Sequence, residues 1–142
     1  MGKVIKEVAG GVLRREGKIL VMRRAPFLSW AGSWEFPGGK LEPGETPQQC
    51  LERELFEELN IRARAGAFLA ENRHQYDFGE VHLMVYEVPS WEGEIALTVH
   101  DAMQWVRPSD LADVPGLLPA DVPVAHALEA IFAEGAAPRN NS

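Results

Sequence analysis

The sequence predicts an α/β sandwich, in which a mixed β-sheet packs against one central and one C-terminal helix. Segments rich in β-branched and apolar residues lie on both sides of the chain's centre and indicate strands. In the central segment, Leu51, Leu55 and Leu59 recur every four residues, which is the period of a helix with one apolar face. A second helical stripe near the C-terminus is formed by Val124, Leu128, Ile131 and Phe132.

The N-terminal third of the sequence favours a β-hairpin. Residues 6–14 and 18–24 have the composition of strands, and Glu16-Gly17 between them is a turn signal. Residues 26–33 contain proline, glycine and serine and predict a loop. A short extended aromatic segment, 34–36, follows and is interrupted by Pro37-Gly38-Gly39.

The central helix has clear start and stop signals. Thr46 is placed as its N-cap and Pro47 as its first helical residue. We expect the helix to run to about Leu59, with its leucine stripe facing the core.

The C-terminal half predicts further strands and a last helix. Strands are expected at 63–77, 81–88 and 102–106, with a turn at 91–94. Residues 108–114 predict a short helix capped by Ser109, and the last helix is expected at residues 121–134.

Length and charge limit the possible functions. The 142 residues suit one domain, which we expect at residues 1–134, followed by a frayed polar tail at 135–142. The net charge of -7 argues against a nucleic-acid polymer as partner, because such binding needs clustered Lys and Arg. A nucleotide substrate stays open, since a bound metal ion reverses the local charge.

Nothing in the sequence indicates a membrane or an oxidising compartment. Cys50 is the only cysteine, so no intramolecular disulfide forms, and we interpret it as a small apolar residue of the helix. The N-terminus lacks the long apolar run of a signal peptide, and no stretch of 18 apolar residues occurs. We expect a cytoplasmic protein without membrane contact, either a monomer or a homodimer.

The central helix carries an unusual concentration of acid. Glu54, Glu57 and Glu58 crowd one flank, although like charges four residues apart repel by a few tenths of a kcal/mol. Packing requires no such cluster. A divalent cation between the carboxylates explains it, because Mg²⁺ is usually held by a few carboxylates together with substrate phosphates.

The spacing resembles the Nudix box, G-x5-E-x7-R-E-U-x-E-E-x-G-U, in which U is aliphatic. The fixed positions that match are Gly39, Glu45, Arg53, Glu54, Leu55, Glu57, Glu58 and Ile61. Asn60 stands where the pattern has glycine, and asparagine tolerates the left-handed backbone that ends a helix. The resemblance implies a Nudix-type α/β/α sandwich and hydrolysis of a nucleoside diphosphate linked to another group.

The resemblance also implies roles for individual residues. Mg²⁺, with Mn²⁺ as a substitute, is expected on the carbonyl of Gly38 and on Glu54, Glu57 and Glu58. Glu54 is our choice for the base that activates water. Arg53 and Glu45 are expected to support the geometry of the loop and helix, and Glu45 is alternatively an outer ligand of the metal through water. The residues on which we expect catalysis to depend are Glu54, Arg53, Glu45 and Glu57.

Some Nudix enzymes use an additional glutamate in a late loop ahead of a strand tryptophan. Counting back from Trp105, that position holds Val99, with His100 and Asp101 beside it. Whether either neighbour replaces the glutamate stays open.

Further segments resemble the MutT branch, which cleaves (deoxy)nucleoside triphosphates to monophosphate and pyrophosphate. These segments are Arg23-Arg24-Ala25, residues 34–40, residues 91–94 and residues 119–124. The resemblance implies that Arg24 contacts substrate and that Phe36 and Phe78 are candidates to stack on the base. Asp121, in a pattern similar to CTP pyrophosphohydrolases, accepts hydrogen bonds when ionised and suits an exocyclic amine. The alternative is that Asp121 only caps the last helix.

Together these features predict a nucleotide-pool enzyme acting on CTP, dCTP or oxidised nucleotides. The alternatives are ADP-ribose or dinucleoside polyphosphates as substrate, and a nucleotide-sensing Nudix domain without catalysis. The isomerase branch that acts on isopentenyl diphosphate needs a catalytic cysteine, and Cys50 inside the box helix is wrongly placed for it.

Overall fold

The structure is a computed structural model that describes residues 4–133. The predicted tail at 135–142 lies outside the described residues. A 3₁₀ helix, Pro108–Asp113, separates the last strand from the last helix. The elements are β1 (Ile5–Arg15), β2 (Lys18–Arg24), β3 (Trp34–Glu35), β4 (Gly38–Lys40), α1 (Pro47–Leu59), β5 (Arg62–Arg64), β6 (Phe68–Tyr76), β7 (Gly79–Val88), β8 (Ser90–Glu92), β9 (His100–Val106) and α2 (Val122–Ile131).

Within these residues, seven strands form one mixed sheet, which confirms the predicted α/β fold class. The strands pair in the order β3-β2-β1-β7-β6, with β4 also on β1 and β9 also on β2. β1 runs parallel to β7 and antiparallel to β2 and β4. A small separate sheet joins β5 to β8.

The two helices pack on opposite faces of the sheet. Neighbouring residues on β1, β2 and β7 alternate between two apolar clusters, because successive side chains of a strand point to opposite faces. On β2, Val21 belongs to the cluster that contains Leu128 of α2, whereas Leu20 belongs to the cluster that contains Leu55 of α1. The sheet is therefore the middle layer, and the site must form where the layers leave an opening.

The local signals in the first half of the sequence are confirmed. β1 and β2 form the predicted hairpin, and Glu16 and Gly17 of its turn both have positive φ. Thr46 caps α1 in a reciprocal hydrogen-bonded box with Gln49. Asn60 takes the left-handed conformation at the C-terminus, with φ 58°, and its backbone N–H donates to a carbonyl of the last turn.

The single strand predicted at 63–77 is wrong. The chain forms β5, breaks at residues 65–67, and continues as β6. Gly66 donates its N–H to the carbonyl of Glu87, and a side chain at Gly66 would crowd Pro89. β5 pairs with β8 and β6 pairs with β7, so the predicted strand is divided between two sheets. The predicted turn at 91–94 is partly strand for the same reason, since Ser90–Glu92 is β8.

Three predicted details near the C-terminus are also wrong. Ser109 does not cap the short helix, whose cap position is Arg107 without a side-chain hydrogen bond. α2 begins at Val122 rather than at Asp121. Ile131 is 45% exposed, and Ala125 is buried in the core instead, so the buried face of α2 consists of Val124, Ala125 and Leu128.

The left-handed Asn60 makes a test of the helix end. Asn60→Ala is expected to lower the free energy of unfolding by about 1 kcal/mol, because an ordinary side chain is strained at this φ. Asn60→Gly should leave it unchanged or raise it by a few tenths of a kcal/mol. Urea unfolding of both variants measures the difference. Equal stability of the two variants would contradict the role given to this backbone conformation.

Candidate active site

Two glycines bring backbone and acid into close contact. β4 pairs with β1 so that Gly38 lies opposite Gly10, and Gly38 has φ 150°. A Cβ on Gly38 would collide with the carbonyl oxygen of Ala9, and one on Gly39 would collide with the carboxylate of Glu54. Only glycine at these positions lets the acid of α1 lie against the backbone of β4.

A cavity of about 420 Å³ opens beside this loop. Its acidic end is formed by Glu54 and Glu58 of α1 with the glycine loop, and its other end, the aromatic end, contains Trp30, Tyr76 and Phe78. Four of the site residues predicted from sequence line it together with the two central acids and Gly38. They are Arg24, Phe36, Phe78 and Asp121.

Burial makes the acid pair electrostatically unfavourable. Desolvation raises the pKa of Glu54, against the opposing effect of the Arg53 guanidinium. Desolvation also raises the pKa of Glu58, and the neighbouring Glu54 and Glu35 raise it further. Without a cation the two carboxyl groups therefore favour sharing a proton. A divalent ion would remove this penalty, and the all-oxygen donor set is the kind that hard cations prefer.

Arg53 ties the loop to the helix. Its Nε and Nη2 donate to Glu45 over 2.6 and 2.9 Å, and Nη2 also donates to the carbonyl of Lys40 over 3.2 Å. Nη1 donates to Glu54 over 3.0 Å. These hydrogen bonds lower the pKa of Glu45 to about 2, so this carboxylate stays ionised. The arrangement is the one that a supporting role of Arg53 and Glu45 requires.

Glu57 lies apart from the other two acids. Its side chain is 56% exposed and pairs with Arg53 Nη1 over 3.2 Å, and it is not among the described residues that line the cavity. Across residues 4–133, no three His, Cys, Asp or Glu side chains are already grouped to hold a metal ion. Metal binding by Glu57 stays a prediction, and it requires the side chain to leave Arg53.

Asp121 is buried at the far end of the cavity. It is 5% exposed, and its Oδ2 accepts the backbone N–H of Phe36 over 3.1 Å. It makes no side-chain cap to α2, so the alternative of a plain helix cap is wrong. Burial raises the pKa of Asp121 to about 8, and nearby Glu35 adds to the effect. Near neutral pH in the free protein its carboxyl group therefore carries a proton and can donate as well as accept.

Arg24 is held on both sides. Its Nε donates to the carbonyl of Ser29 over 2.7 Å, and its Nη1 donates to both oxygens of Glu35 over 3.2 and 3.3 Å. The buried His100 approaches Glu35 through Nε2 at 2.9 Å. Of the two candidates for the late-loop acid, His100 thus contacts Glu35, and Asp101 pairs with Arg23 over 2.7 Å.

Several residues of the aromatic end were not predicted from the sequence. Trp30, Tyr76 and Lys6 line the cavity with Phe78. Tyr76 stacks on Phe78 at 5.5 Å between ring centroids, and Lys6 lies 4.4 Å from the centroid of the Phe78 ring. Alternation along β6 and the aromatic residues beside Phe78 were the available signals. Phe36 is only 4% exposed and belongs to the core as well as to the cavity wall.

Comparison with known proteins identifies the family. The family model described as NUDIX domain matches residues 5–128. The chain belongs to the NUDIX family. Over 127 residues it is 39% identical to the CTP pyrophosphohydrolase of Escherichia coli K12, covering 89% of this chain and 93% of the relative. It is 40% identical over 95 residues to the 8-oxo-dGTP diphosphatase of Haemophilus influenzae, covering 66% and 70%.

The solved structures agree. The solution structure of the E. coli ORF135 protein superposes with a TM-score of 0.84 at 37% identity, covering 96% of each chain. The predicted Nudix membership and MutT-like branch are confirmed, and the chain is a Nudix hydrolase. Hydrolases of this family work with a divalent metal ion, which the acid pair and glycine loop fit. No helix within residues 4–133 is long and apolar enough to cross a membrane.

The buried carboxyl group of Asp121 predicts a pH effect on stability. Because the pKa of Asp121 is about 8 when folded and about 3.9 when unfolded, the folded chain alone holds this proton between these values. The contribution of this proton to the free energy of unfolding is complete below about pH 4. It is lost as the pH rises toward 8, at up to about 1.4 kcal/mol per pH unit. Metal-free Asp121→Asn should therefore gain stability relative to the unchanged protein as pH rises from about 5 to about 8.

Urea unfolding at both pH values measures this difference. Asp101→Asn is the matched control, because Asp101 is paired at the surface. The same pH dependence in Asp121→Asn and in the unchanged protein would show that Asp121 titrates normally.

Proposed function

We propose that this Nudix hydrolase uses Mg²⁺, with Mn²⁺ as a substitute, to cleave (deoxy)nucleoside triphosphates to monophosphate and pyrophosphate. One observation carries the proposal. A single cavity has a buried acid pair against a glycine loop at one end and aromatic side chains around a buried carboxyl group at the other. The first end suits phosphates with their metal, and the second suits a base.

At the acidic end, Mg²⁺ would be held by Glu54, Glu58 and the carbonyl of Gly38, with Glu57 joining once it leaves Arg53. When bound, the ion supplies charge stabilisation to the phosphate oxygens. Glu54 then accepts a proton from the attacking water, and the phosphoanhydride bond breaks as the water oxygen bonds to phosphorus. Because the Glu54 carboxylate lies against the backbone of Gly39, it would reach the water from one fixed direction.

The cations around the cavity have separate tasks. Arg53 is occupied by Glu45 and Glu54, so it keeps the acids in place rather than binding phosphate. Arg24 and Lys40 line the cavity and would meet the phosphates of a bound nucleotide. A guanidinium already fixed by Glu35 loses little conformational freedom when it binds an anion.

At the other end, Asp121 and the phenylalanines would select the base. Phe36 and Phe78 offer apolar surface, and base stacking on aromatic rings contributes about 1–3 kcal/mol. Asp121 suits cytosine, because its ionised form accepts from the N4 amine. Its protonated form would donate to a ring nitrogen or carbonyl, so the bound base decides which form is present.

The named relatives support a substrate among the nucleoside triphosphates. One acts on CTP and another on 8-oxo-dGTP according to their names, which places cytidine and oxidised guanine nucleotides first. We therefore propose sanitation of the cytoplasmic nucleotide pool as the role, with the protein acting as a monomer or homodimer.

A panel of nucleotides tests the proposed substrate. CTP, dCTP, 8-oxo-dGTP, ADP-ribose and a dinucleoside polyphosphate are incubated with Mg²⁺, and the products are separated. We expect monophosphate and pyrophosphate from the triphosphates, with CTP or dCTP preferred. Asp121→Asn should move the preference toward 8-oxo-dGTP, because the amide both donates and accepts at every pH. Turnover of ADP-ribose or the dinucleotide alone would reject the triphosphate proposal.

Glu58→Gln tests the acidic end. We expect kcat to fall by several orders of magnitude, because the amide removes a charged oxygen from the metal while keeping the shape. Glu52→Gln on the same helix is the control, since Glu52 accepts from the backbone N–H of Ala65 and does not line the described cavity. A near-normal rate for Glu58→Gln, or an equal loss for Glu52→Gln, would reject the role of Glu58.

A further inference from the structure

Trp30 stands at the mouth of the cavity without a place in the core. It lies in the loop between β2 and β3, lines the cavity, and is 51% exposed. Neither of the two apolar clusters includes it. A large aromatic side chain that is half exposed beside a cavity is characteristic of a binding surface, since packing gives no reason for it.

The backbone at Trp30 is in an uncommon conformation. Its φ is 59°, in the left-handed region that residues with a side chain seldom adopt. Such a conformation costs about 1–2 kcal/mol, and it persists where the surroundings impose it. Here it directs the chain so that the indole meets the cavity rather than bulk solvent alone.

Neighbouring groups hold the loop in this position. Arg24 binds the carbonyl of Ser29 through Nε at 2.7 Å and accepts the backbone N–H of Gly32 at its own carbonyl. Both ends of the segment that carries Trp30 are thus tied to one residue of β2. Glu35 fixes the Arg24 guanidinium, and His100 contacts Glu35 from the buried side.

The indole completes an aromatic wall. The Trp30 and Tyr76 rings form an edge-to-face contact, with 5.3 Å between their centroids and 66° between their planes. Tyr76 in turn stacks on Phe78. The Tyr76 hydroxyl accepts the backbone N–H of Ala120, next to the buried Asp121, so the middle of the wall is fixed. A flat π-system entering toward Asp121 would pass along these rings.

We infer that Trp30 is a specificity-determining residue, whose indole stacks on the nucleobase of the substrate at the mouth of the cavity. The inference rests on the proposed function, and it adds a contact from the loop at residues 25–33 to the base site. The pyrophosphate part of the substrate, which has no π-face, makes no use of this contact. Trp30 should therefore affect binding of the base and leave phosphate chemistry intact.

The test compares Trp30→Ala, Trp30→Phe and Phe27→Ala in the full chain. Phe27 is the matched control, because it lies in the same loop, is 73% exposed and does not line the described cavity. With CTP and Mg²⁺, Trp30→Ala should raise KM about tenfold and change kcat less than about twofold. Trp30→Phe should recover most of the loss, and Phe27→Ala should resemble the unchanged protein.

Product inhibition separates base from phosphate. The inhibition constant of CMP should rise about tenfold in Trp30→Ala, whereas that of pyrophosphate should stay within about twofold. Alanine and phenylalanine carry a Cβ like tryptophan, so the left-handed backbone is strained equally in all three proteins. Thermal unfolding of the variants verifies that they fold alike.

Fluorescence gives a readout that needs no turnover. Trp34, Trp91 and Trp105 do not line the described cavity, so a change of tryptophan emission on adding CMP reports Trp30. The change should be lost in Trp30→Phe.

Unchanged KM in Trp30→Ala, an equal rise in Phe27→Ala, or an emission change that survives in Trp30→Phe would overturn the inference. If the unchanged protein hydrolyses none of the triphosphates, the proposed function itself has failed. If the enzyme hydrolyses triphosphates and the Trp30 variants behave like the unchanged protein, the proposed function holds and only the contact of Trp30 with the base is rejected.

Discussion

The acidic site depends on one guanidinium. Arg53 binds Glu45 through two nitrogens and reaches Glu54 and the Lys40 carbonyl with its remaining hydrogen-bond donors. It thereby joins the loop after β4 to the second turn of α1. Planar, always charged arginine is the side chain suited to such a joint, because it can satisfy several carboxylates in fixed directions. Without Arg53, no side chain in the described part of the chain would hydrogen-bond to both the loop and the acids of α1.

This joint allows a functional cluster that the fold by itself disfavours. Burial raises the pKa of both Glu54 and Glu58, so the metal-free protein carries an electrostatic penalty in its site. Conflicts of this kind between local stability and charge are expected where chemistry takes place. The segment 34–40 then links the two ends of the cavity. It carries Phe36 beside the buried Asp121 and, a few residues later, the glycines beside the acids, so one short stretch sets the distance between the two ends of the cavity.

Many of the residues that line the cavity could be predicted from the sequence because they follow local rules. The box spacing marked the acids, and Arg24, Phe36, Phe78 and Asp121 all line the cavity. Their partners could not be predicted, since hydrogen bonds such as those from Arg24 to Glu35 depend on strand pairing. The outward turn of Glu57 was missed for the same kind of reason. A helical wheel places it near the other acids, but Arg53 draws it away from the cavity.

By itself, the sequence determined the hairpin, the capped helix with its leucine face, and the left-handed helix end at Asn60. Each follows from interactions within a few residues, where side-chain chemistry directly limits φ and ψ. Only the tertiary structure decided the break at Gly66, the burial that keeps a proton on Asp121, and the wall that Trp30 joins. These features depend on which distant segments share a sheet edge or remove water from a group. Such contacts produce no periodic pattern or motif spacing within a single segment of the sequence.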